Sequence, residues 1–313
     1  MELSGGNNIS WKARVTALCA LARLGLDAIP LLLDGLDNLD PEIRNLAAQA
    51  MGYMGGPGQA ARMERLMVED PDGVVRVYAG MARAMIGGPI PADLAKLVAQ
   101  YDPLRMAKTR LDLAMKRPPG LRNEPIRETL AAFDLSRMDS ARIGQRAPDF
   151  ILYDQSGTRH QLSEYKGKKS VVLIFVYGVT CMYCTGQIAQ IRARLHDFEA
   201  NDAQVLFVES SESYRAEATL EVVHGPGTSA SLSLLSDPSH TVAAAYGVAM
   251  QMHHIEWLNR PSSFVIDRDG MIRYEKRGLG VSDRPSPSEL LAEVRRLHDS
   301  KSPSMLMPPG ETH

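Results

Sequence analysis

Cysteine is scarce in this sequence: its 313 residues include three, Cys19, Cys181 and Cys184. So few cysteines exclude a small scaffold held together by several disulfides. An excess of charge is also missing, because 35 Lys and Arg against 37 Asp and Glu leave a net charge of −2 and a pI near 6.5. Without a global basic field, we expect no nucleic-acid partner and no binding to an anionic membrane surface.

The N-terminus lacks the basic and then apolar run of a secretory signal, and no apolar stretch reads as long enough to span a bilayer. We therefore expect a cytoplasmic location. In a reducing compartment, a pair of neighbouring cysteines is more often catalytic or metal-binding than a structural bond. The composition is 44% hydrophobic and the length suffices for two globular domains.

Cys181 and Cys184 stand where a buried strand gives way to an amphipathic helix. Val171–Val176 is a short, continuous apolar run typical of a buried strand. After Cys184, apolar residues recur at helical spacing, so the pair opens a helix. Backbone N–H groups and the helix dipole stabilise a thiolate at that position. The arrangement suits reversible dithiol–disulfide exchange.

The Cys-x-x-Cys spacing alone would also fit half a zinc site or an incidental pair. Zinc needs two further ligands, and the remaining cysteine, Cys19, lies far away in the chain. His253 and His254 are adjacent, so their side chains do not naturally converge on one ion. We therefore expect no metal, and the strand-to-helix context favours redox chemistry.

The first 117 residues contain an internal repeat with a period of 30 to 32 residues, read from the Asp-Pro pairs that begin at positions 40, 70 and 102. Each unit has an Asp cap, Pro at the first helical position, an Ala-rich helix, a Gly break and a second helix. The second helices are Ala60–Val68 and Ala92–Gln100, and an earlier copy without Asp-Pro begins at Trp11.

These units resemble short HEAT-type repeats of the phycobilisome-lyase kind over residues 8–117. The resemblance implies stacked helix pairs with a long surface that binds a protein partner. The region has no histidine, and its one cysteine, Cys19, lies on the apolar side of its helix, where we expect it to be buried. We therefore expect the repeats to be dispensable for any dithiol chemistry.

Residues 118–142 read as a linker, residues 143–300 as a second domain and residues 301–313 as a flexible tail. In the second domain the element order is ββ, βαβα, βα, ββα. This order predicts a mixed sheet with helices on both faces. The expected fold class is α plus α/β, a helical solenoid followed by a sheet sandwich.

Residues 143–298 resemble the redoxin branch of the thioredoxin superfamily, the alkyl-hydroperoxide-reductase and thiol-antioxidant group. The matching segments are Ile143-Gly144-x-x-Ala147-Pro148-x-Phe150-x-Leu152, Gly157-x-x-x-x-Leu162-Ser163-x-Tyr165-x-Gly167-Lys168, Cys181-x-x-Cys184, Leu235-Ser236-Asp237-Pro238 with Ala245-Tyr246-Gly247-Val248, and Pro261-x-x-Phe264-Val265-Ile266-Asp267-x-x-Gly270. The resemblance implies a thioredoxin-like fold and a cis-proline at Pro261, opposite the cysteines.

The resembled group contains peroxidases as well as dithiol oxidoreductases. A peroxiredoxin has Thr or Ser three residues before its attacking cysteine, whereas Cys181 stands three before Cys184 here. It also has an Arg where this chain has Pro261, although Arg260 is adjacent. Both departures favour the dithiol branch. Thioredoxin's buried acid is replaced by Phe175. Glu209, which ends the strand after the active helix, is a weak candidate base, and we expect it to be a solvated loop acid instead.

The resemblance implies that Cys181 attacks a substrate disulfide and that Cys184 resolves the mixed disulfide. Tyr183, Arg260 and Pro261 are the expected substrate-binding residues, and no cofactor is implied. The predicted function is a thiol–disulfide oxidoreductase whose repeats recruit a protein client with a disulfide or dithiol. The alternatives are a peroxiredoxin-like thiol peroxidase and a redox-sensing repeat adaptor without turnover.

Overall fold

The computed structural model of the chain describes residues 10–91, 124–178, 181–224, 232–252 and 256–299, with a few single positions between 93 and 115. A helical N-terminal part is followed by a mixed β-sheet with helices. Most of the predicted helix at 92–100, most of the third repeat copy and the predicted tail lie outside the described residues.

Five helices form the described part of the repeats. They are α1 (Trp11–Leu24), α2 (Ala28–Gly35), α3 (Pro41–Met54), α4 (Ala60–Glu69) and α5 (Gly73–Met85). Helix α3 begins as its motif predicts, with Pro41 as its first residue and the Asp40 carboxylate accepting the Glu42 N–H at 2.9 Å.

The second repeat begins two residues later than its motif predicts. Its cap is Asp72, which accepts the N–H groups of Val74 and Val75, so Pro71 lies outside the helix. Asp70 does not cap the helix. Its carboxylate instead accepts hydrogen bonds from Nε and Nη2 of Arg44, at 2.9 and 3.0 Å. This bidentate pair joins one repeat to the next and explains why the motif contains both Asp and Arg.

The small residues of α3 and α5 allow the two helices to pack closely. A Cβ at Gly52 would lie 2.9 Å from the Cα of Ala82, so any larger residue would push the helices apart. The predicted stacking of Ala-rich helices is confirmed here, and the small residues make the packing close.

The run Trp11–Gly35 is long and apolar enough, by length and composition, to cross a membrane, and about 33% of its most apolar window is buried. The prediction that no apolar stretch is long enough to span a bilayer is therefore wrong. In the structure, a short turn at Gly25–Asp27 breaks the run into α1 and α2. Arg14 is buried within it and donates to Gln49 Oε1 at 2.6 Å, as in a helix packed inside a protein.

Helix α6 (Glu124–Ala132) lies within the segment read as a linker. On one side, Arg23 of α1 donates to the carbonyl groups of Ala131 and Phe133. On the other side, the Thr129 hydroxyl donates to the Ile151 carbonyl at 2.9 Å, at the start of the sheet. The segment thus connects the repeats to the sheet by direct packing.

The sheet contains seven strands in the order β2-β1-β5-β4-β3-β8-β9. The strands are β1 (Ile151–Asp154), β2 (Arg159–Gln161), β3 (Ser170–Val176), β4 (Ala203–Glu209), β5 (Ser233–Ser236), β8 (Ser262–Ile266) and β9 (Ile272–Arg277). The central strand β3 is parallel to β4 and antiparallel to β8. The helices that accompany the sheet are α7 (Met182–Arg192), α8 (Leu195–Glu199), α9 (Ser213–His224), α10 (Thr241–Ala245) and α11 (Pro287–Asp299).

A separate hairpin was not predicted from the sequence: β6 (Ala249–Met252) pairs antiparallel with β7 (Glu256–Asn259). It ends at Asn259, which is fully buried and whose Nδ2 donates to the carbonyls of Val176 and Val208 at 3.1 and 3.0 Å. The Asn259 amide therefore links the carboxyl ends of β3 and β4, and the cysteines follow β3 in the chain.

Alternate residues of the central strands enter two different cores. Val172 and Ile174 face the core under α7, α9 and α11. Leu173 and Phe175 face the opposite core, which continues through Tyr246 and α10 into the repeats as one contiguous cluster. The predicted mixed sheet with a covering on both faces is confirmed, and the covering of the second face is continuous with the N-terminal helices.

Tyr53 makes a hydrogen bond between the repeats and the sheet domain. Its buried hydroxyl donates to the Pro238 carbonyl at 2.7 Å, in the loop that follows β5. We expect Tyr53→Phe to lower the free energy of unfolding by about 1 to 3 kcal/mol, because a buried carbonyl loses its donor. Urea denaturation of the full chain measures the change, with Tyr183→Phe as an exposed control. An unchanged midpoint would contradict the prediction.

Candidate active site

The two cysteines lie at the carboxyl end of the central strand β3, where α7 begins. Cys181 is the N-cap of α7 and is partly exposed, whereas Cys184 lies in the first turn and is fully buried. Both are free thiols in this structure. The sequence prediction that the pair opens a helix is confirmed.

The surroundings of Cys181 favour its thiolate and lower its pKa from 9.0 to about 6. The largest cause is the hydrogen bond from the neighbouring Cys184 thiol. The backbone N–H groups of Cys184 and Tyr183 and the charge of Arg284 add to it, against the opposing effect of partial burial. A thiol at this pKa is mostly ionised at neutral pH, which is the state that attacks a disulfide.

Cys184 has the opposite character. The thiolate of Cys181 and the burial of its own side chain raise the pKa of Cys184, so its proton stays in place while Cys181 is charged. Its Sγ accepts the Tyr177 N–H at 3.2 Å. One partly exposed thiolate thus stands beside one buried thiol, an arrangement that suits attack by the first and resolution by the second.

Arg284 is the site residue that the sequence analysis missed. It lies in the loop between β9 and α11, and its Nη2 is 3.1 Å from Cys184 Sγ and 3.9 Å from Cys181 Sγ. The rest of the guanidinium is fixed, since Nη1 donates to Gln187 Oε1 at 2.7 Å and Nε to the Val281 carbonyl at 2.9 Å. A residue about 100 positions from the cysteines can be linked to them only through the sheet topology, so no local spacing could have revealed it.

Arg260 and Pro261 lie behind this loop. The Arg260 Nε donates to the Gly278 carbonyl at 2.6 Å, and the Pro261 carbonyl accepts the Gly278 N–H at 2.8 Å. Both residues therefore hold the start of the segment that carries Arg284. Their predicted role in substrate binding stays a prediction.

The prediction of a cis peptide at Pro261 is wrong, because no peptide bond among the described residues is cis. The chain passes from β7 to β8 through Arg260 and Pro261 with the Arg260 N–H bonded to the Val248 carbonyl at 2.7 Å. Trans geometry satisfies these bonds and is the lower-energy isomer of an X-Pro bond.

Exposed apolar side chains follow Cys181 in the chain and are present in the loop that carries Arg284. Met182 and Tyr183 follow Cys181 directly and are 76% and 47% exposed, and Leu279 and Val281 of the Arg284 loop are 90% and 59% exposed. Large apolar groups beside a reactive thiol favour a substrate that covers them. Tyr183 is exposed next to Cys181, and its predicted role in substrate binding stays a prediction.

Glu209 is not the solvated loop acid that the sequence analysis favoured. It ends β4 with no exposed surface, and the Thr219 hydroxyl donates to its Oε2 at 2.7 Å. Burial raises its pKa above 4.5, against hydrogen bonds from Ser211 and Thr219. A Cβ at Gly178, whose φ is +135°, would lie 3.0 Å from Glu209 Oε1, so glycine is needed where the loop before Cys181 passes the carboxyl group.

We expect Glu209→Gln to stabilise the reduced protein at neutral pH, because the amide carries no negative charge that has to be buried. Because the folded pKa is raised, the favourable contribution of Glu209 is present below pH 4.5 and is lost as the pH rises through the folded value. Glutamine removes that loss. Urea denaturation between pH 4 and 8 tests it, with exposed Glu221→Gln as the matched control; a lower stability of Glu209→Gln at every pH would contradict it.

Within the part of the chain that the structure describes, no group of three or more His, Cys, Asp or Glu side chains could hold a metal ion. His253 and His254 lie outside the described residues. The absence of a metal site stays an expectation from the sequence.

Comparisons with known proteins match both parts of the chain. The AhpC/TSA family matches residues 143–275, and HEAT repeats match residues 7–82. Alkyl hydroperoxide reductase E of Mycobacterium tuberculosis is 35% identical over 136 residues, which cover 42% of this chain and 82% of that protein. The chloroplastic 2-Cys peroxiredoxin BAS1 of Spinacia oleracea is 26% identical over 178 residues, which cover 55% of this chain and 65% of that protein.

Among solved structures, peroxidoxin BcpB from Mycobacterium tuberculosis aligns with a TM-score of 0.43 at 25% identity, over 50% of this chain and 98% of that one. The identity with the reductase, over most of its length, is what assigns the sheet domain. The chain belongs, through residues 143–275, to the AhpC/TSA family of thioredoxin-fold oxidoreductases, and carries HEAT repeats before that domain.

Proposed function

We propose that this protein is a thiol–disulfide oxidoreductase that uses Cys181 and Cys184 as a dithiol. The observation that carries the proposal is the asymmetry of the pair: a partly exposed Cys181 with a pKa lowered to about 6 beside a fully buried Cys184. An accessible thiolate attacks, and a protected thiol waits for the second step. The chemistry needs no cofactor.

In the first step, Cys181 Sγ attacks one sulfur of a substrate disulfide, and the other substrate sulfur leaves as a thiolate with the bonding electron pair. In the second step, Cys184, as thiolate, attacks Cys181 Sγ and displaces the remaining substrate sulfur. The substrate gains two electrons and the protein holds a Cys181–Cys184 disulfide. A dithiol reductant then restores the starting state.

We propose that the substrate is a protein disulfide. The exposed apolar groups of Met182 and Tyr183, directly after Cys181, suit a polypeptide segment better than a small polar disulfide. The repeats would recruit this client in the cytoplasm. Exposed leucines of α1, of α2 and of the turn between them, Leu24, Leu31 and Leu26, support a role of that surface in protein binding.

A thiol peroxidase is the second candidate, and two observations favour it. Relatives that match the sheet domain are named alkyl hydroperoxide reductase and 2-Cys peroxiredoxin. Arg284 Nη2 also lies closer to Cys184 than to Cys181, as expected if Cys184 were the attacking thiolate. A thiolate would then cleave the peroxide O–O bond, forming a sulfenic acid and releasing an alcohol, and the second cysteine would condense with it and release water. The full burial of Cys184 weighs against that order of attack.

Turnover assays distinguish the candidates. The full-length protein is given a dithiol reductant and either a protein disulfide or an organic hydroperoxide, and consumption of each is followed. We expect catalytic reduction of the disulfide at a rate that depends on Cys181. Consumption of hydroperoxide alone would overturn the proposal in favour of the peroxidase. Stoichiometric oxidation of the cysteine pair without turnover of either substrate would instead indicate a redox-sensing adaptor.

A further inference from the structure

The second step of exchange poses an electrostatic problem that the first does not. Cys184 has no exposed surface, and its negative charge must form inside the protein during resolution. A buried thiolate is unstable without a positive charge or hydrogen-bond donors at the sulfur. The Tyr177 N–H supplies one donor, at 3.2 Å from Cys184 Sγ.

The guanidinium of Arg284 supplies a full positive charge at the same sulfur. Its Nη2 reaches both sulfurs of the pair, at 3.1 Å from Cys184 and 3.9 Å from Cys181. A guanidinium has five N–H donors in a fixed planar arrangement, whereas an ammonium group is a compact point charge. One group therefore lies within reach of the charge in both steps.

The position of Arg284 is fixed from two sides, so it needs no rearrangement between the steps. Gln187 of α7 and the Val281 carbonyl accept its other N–H groups. The loop itself is held at its start, where Gly278 bonds to Pro261 and Arg260, and in its middle, where Asp283 accepts the Leu279 N–H at 2.9 Å and pairs with Lys276 at 2.9 Å.

We propose that Arg284 is a catalytic residue that stabilises two thiolates in succession, first Cys181 and then Cys184, while the guanidinium stays in one place and the charge moves past it. This inference rests on the proposed disulfide exchange and adds the residue that makes the buried cysteine competent. It also gives a reason for the unequal distances, since the buried sulfur needs the closer contact.

The charges and protons of the cycle balance with this role. Attack by the Cys181 thiolate forms the mixed disulfide and releases a substrate thiolate. The Cys184 proton passes to that leaving thiolate, and the charge now resides on Cys184, 3.1 Å from the guanidinium. Cys184 then attacks Cys181 Sγ, and the second substrate sulfur leaves as a thiolate with its electron pair.

Other titratable groups near the pair act differently. Glu209 lies beyond Gly178, near Glu212 and Arg215 at the start of α9, and an acid there could at most accept the Cys184 proton. It would not hold the charge of a thiolate. The roles of Arg284 and Glu209 can therefore be separated by substitution.

The test uses the full-length reduced protein and an aromatic disulfide whose thiolate absorbs visible light. One turnover releases two such thiolates, the first on attack by Cys181 and the second on resolution by Cys184, so a stopped-flow trace has two phases. The variants are Arg284→Met, which removes the charge, Arg284→Lys, which keeps a point charge, and Arg268→Met, a matched loss of arginine at a surface pair with Asp202. Circular dichroism confirms that each is folded.

We expect Arg284→Met to slow the second phase about tenfold at pH 7 and the first phase less, with the pH midpoints of both phases moved upward. Arg284→Lys should recover part of each loss, and Arg268→Met should match the parent protein. A slowed first phase with an unchanged second phase would overturn the proposal, because Arg284 would then serve Cys181 alone. The proposal would also be overturned if Glu209→Gln slowed the second phase about tenfold while Arg284→Met left that phase unchanged. Absence of both phases in the parent protein would instead refute the proposed exchange itself.

Discussion

Cys181→Ser is expected to abolish disulfide exchange, with a loss of at least about a thousandfold, because a serine hydroxyl is not ionised at neutral pH and cannot replace the nucleophile. The structural reason is that Cys181 is the exposed member of the pair and occupies the N-cap of α7. Reduction of a protein disulfide by the full chain, with a dithiol as electron source, measures the loss.

Cys184→Ser should have a different consequence from Cys181→Ser. Attack through Cys181 remains, but no thiolate follows to release the substrate, so a mixed disulfide should accumulate. Non-reducing electrophoresis and intact mass measure the adduct, and the double variant serves as the control that forms none. If adducts form on Cys184 in Cys181→Ser, and none form on Cys181 in Cys184→Ser, then Cys184 is the attacking residue and the peroxidase alternative gains support.

The second large effect concerns pH. Because the pKa of Cys181 is lowered to about 6, its thiolate should be present above that pH and be lost as the pH falls through it. At pH 6 about half of Cys181 should be ionised, against roughly 0.3% of an ordinary cysteine with a pKa near 8.5. That is an advantage of about 150-fold in thiolate concentration. A thiolate of lower pKa is intrinsically less nucleophilic, with a Brønsted coefficient of about 0.45, and this lowers the rate constant of the thiolate roughly 13-fold. The net expectation is an alkylation rate about tenfold above an ordinary exposed thiol at pH 6.

Alkylation of the reduced protein by iodoacetamide between pH 4 and 9, followed by peptide mass spectrometry, measures this directly. Cys19 is an internal control, because it has no exposed surface and burial raises its pKa to about 11. It should react only after denaturation. A Cys181 profile with a midpoint near 8.5 would show that the helix N-terminus, the Cys184 thiol and Arg284 do not act on Cys181 as the geometry implies.

Much of the fold could be predicted from sequence because its signals are local. The apolar run at 171–176 and the Asp-Pro caps each determine a few neighbouring residues, and the structure has a strand and helices there. The same holds for the cysteine pair, whose strand and helix are adjacent in the chain. The shift of the second repeat cap from Asp70 to Asp72 arose from a distant partner, Arg44, which holds Asp70.

The parts of the site that were missed depend on contacts between distant segments. Arg284 meets the cysteines only because β9 and the loop after it return to the carboxyl end of β3. Glu209 is buried only because α9 covers it with Thr219, while its position at a strand end resembles that of a solvated acid. The hairpin that ends at Asn259 has too few strand-forming residues to be predicted from the sequence. The Asn259 amide binds two carbonyl groups that are far away in the sequence.

The second core, which runs from the sheet through Tyr246 and α10 into the repeats, has a consequence for how the protein unfolds. Elements that share one apolar interior lose their packing together, so the repeats and the sheet should form a single cooperative unit. Calorimetry of the reduced full chain should show one heat-absorption peak, and hydrogen exchange should protect α3 and β3 to a similar degree. A fragment that begins at Ser140 would keep both cysteines but expose the apolar side of α10, and we expect it to aggregate. The repeats can be unnecessary for the chemistry and still be required for the sheet to persist in water.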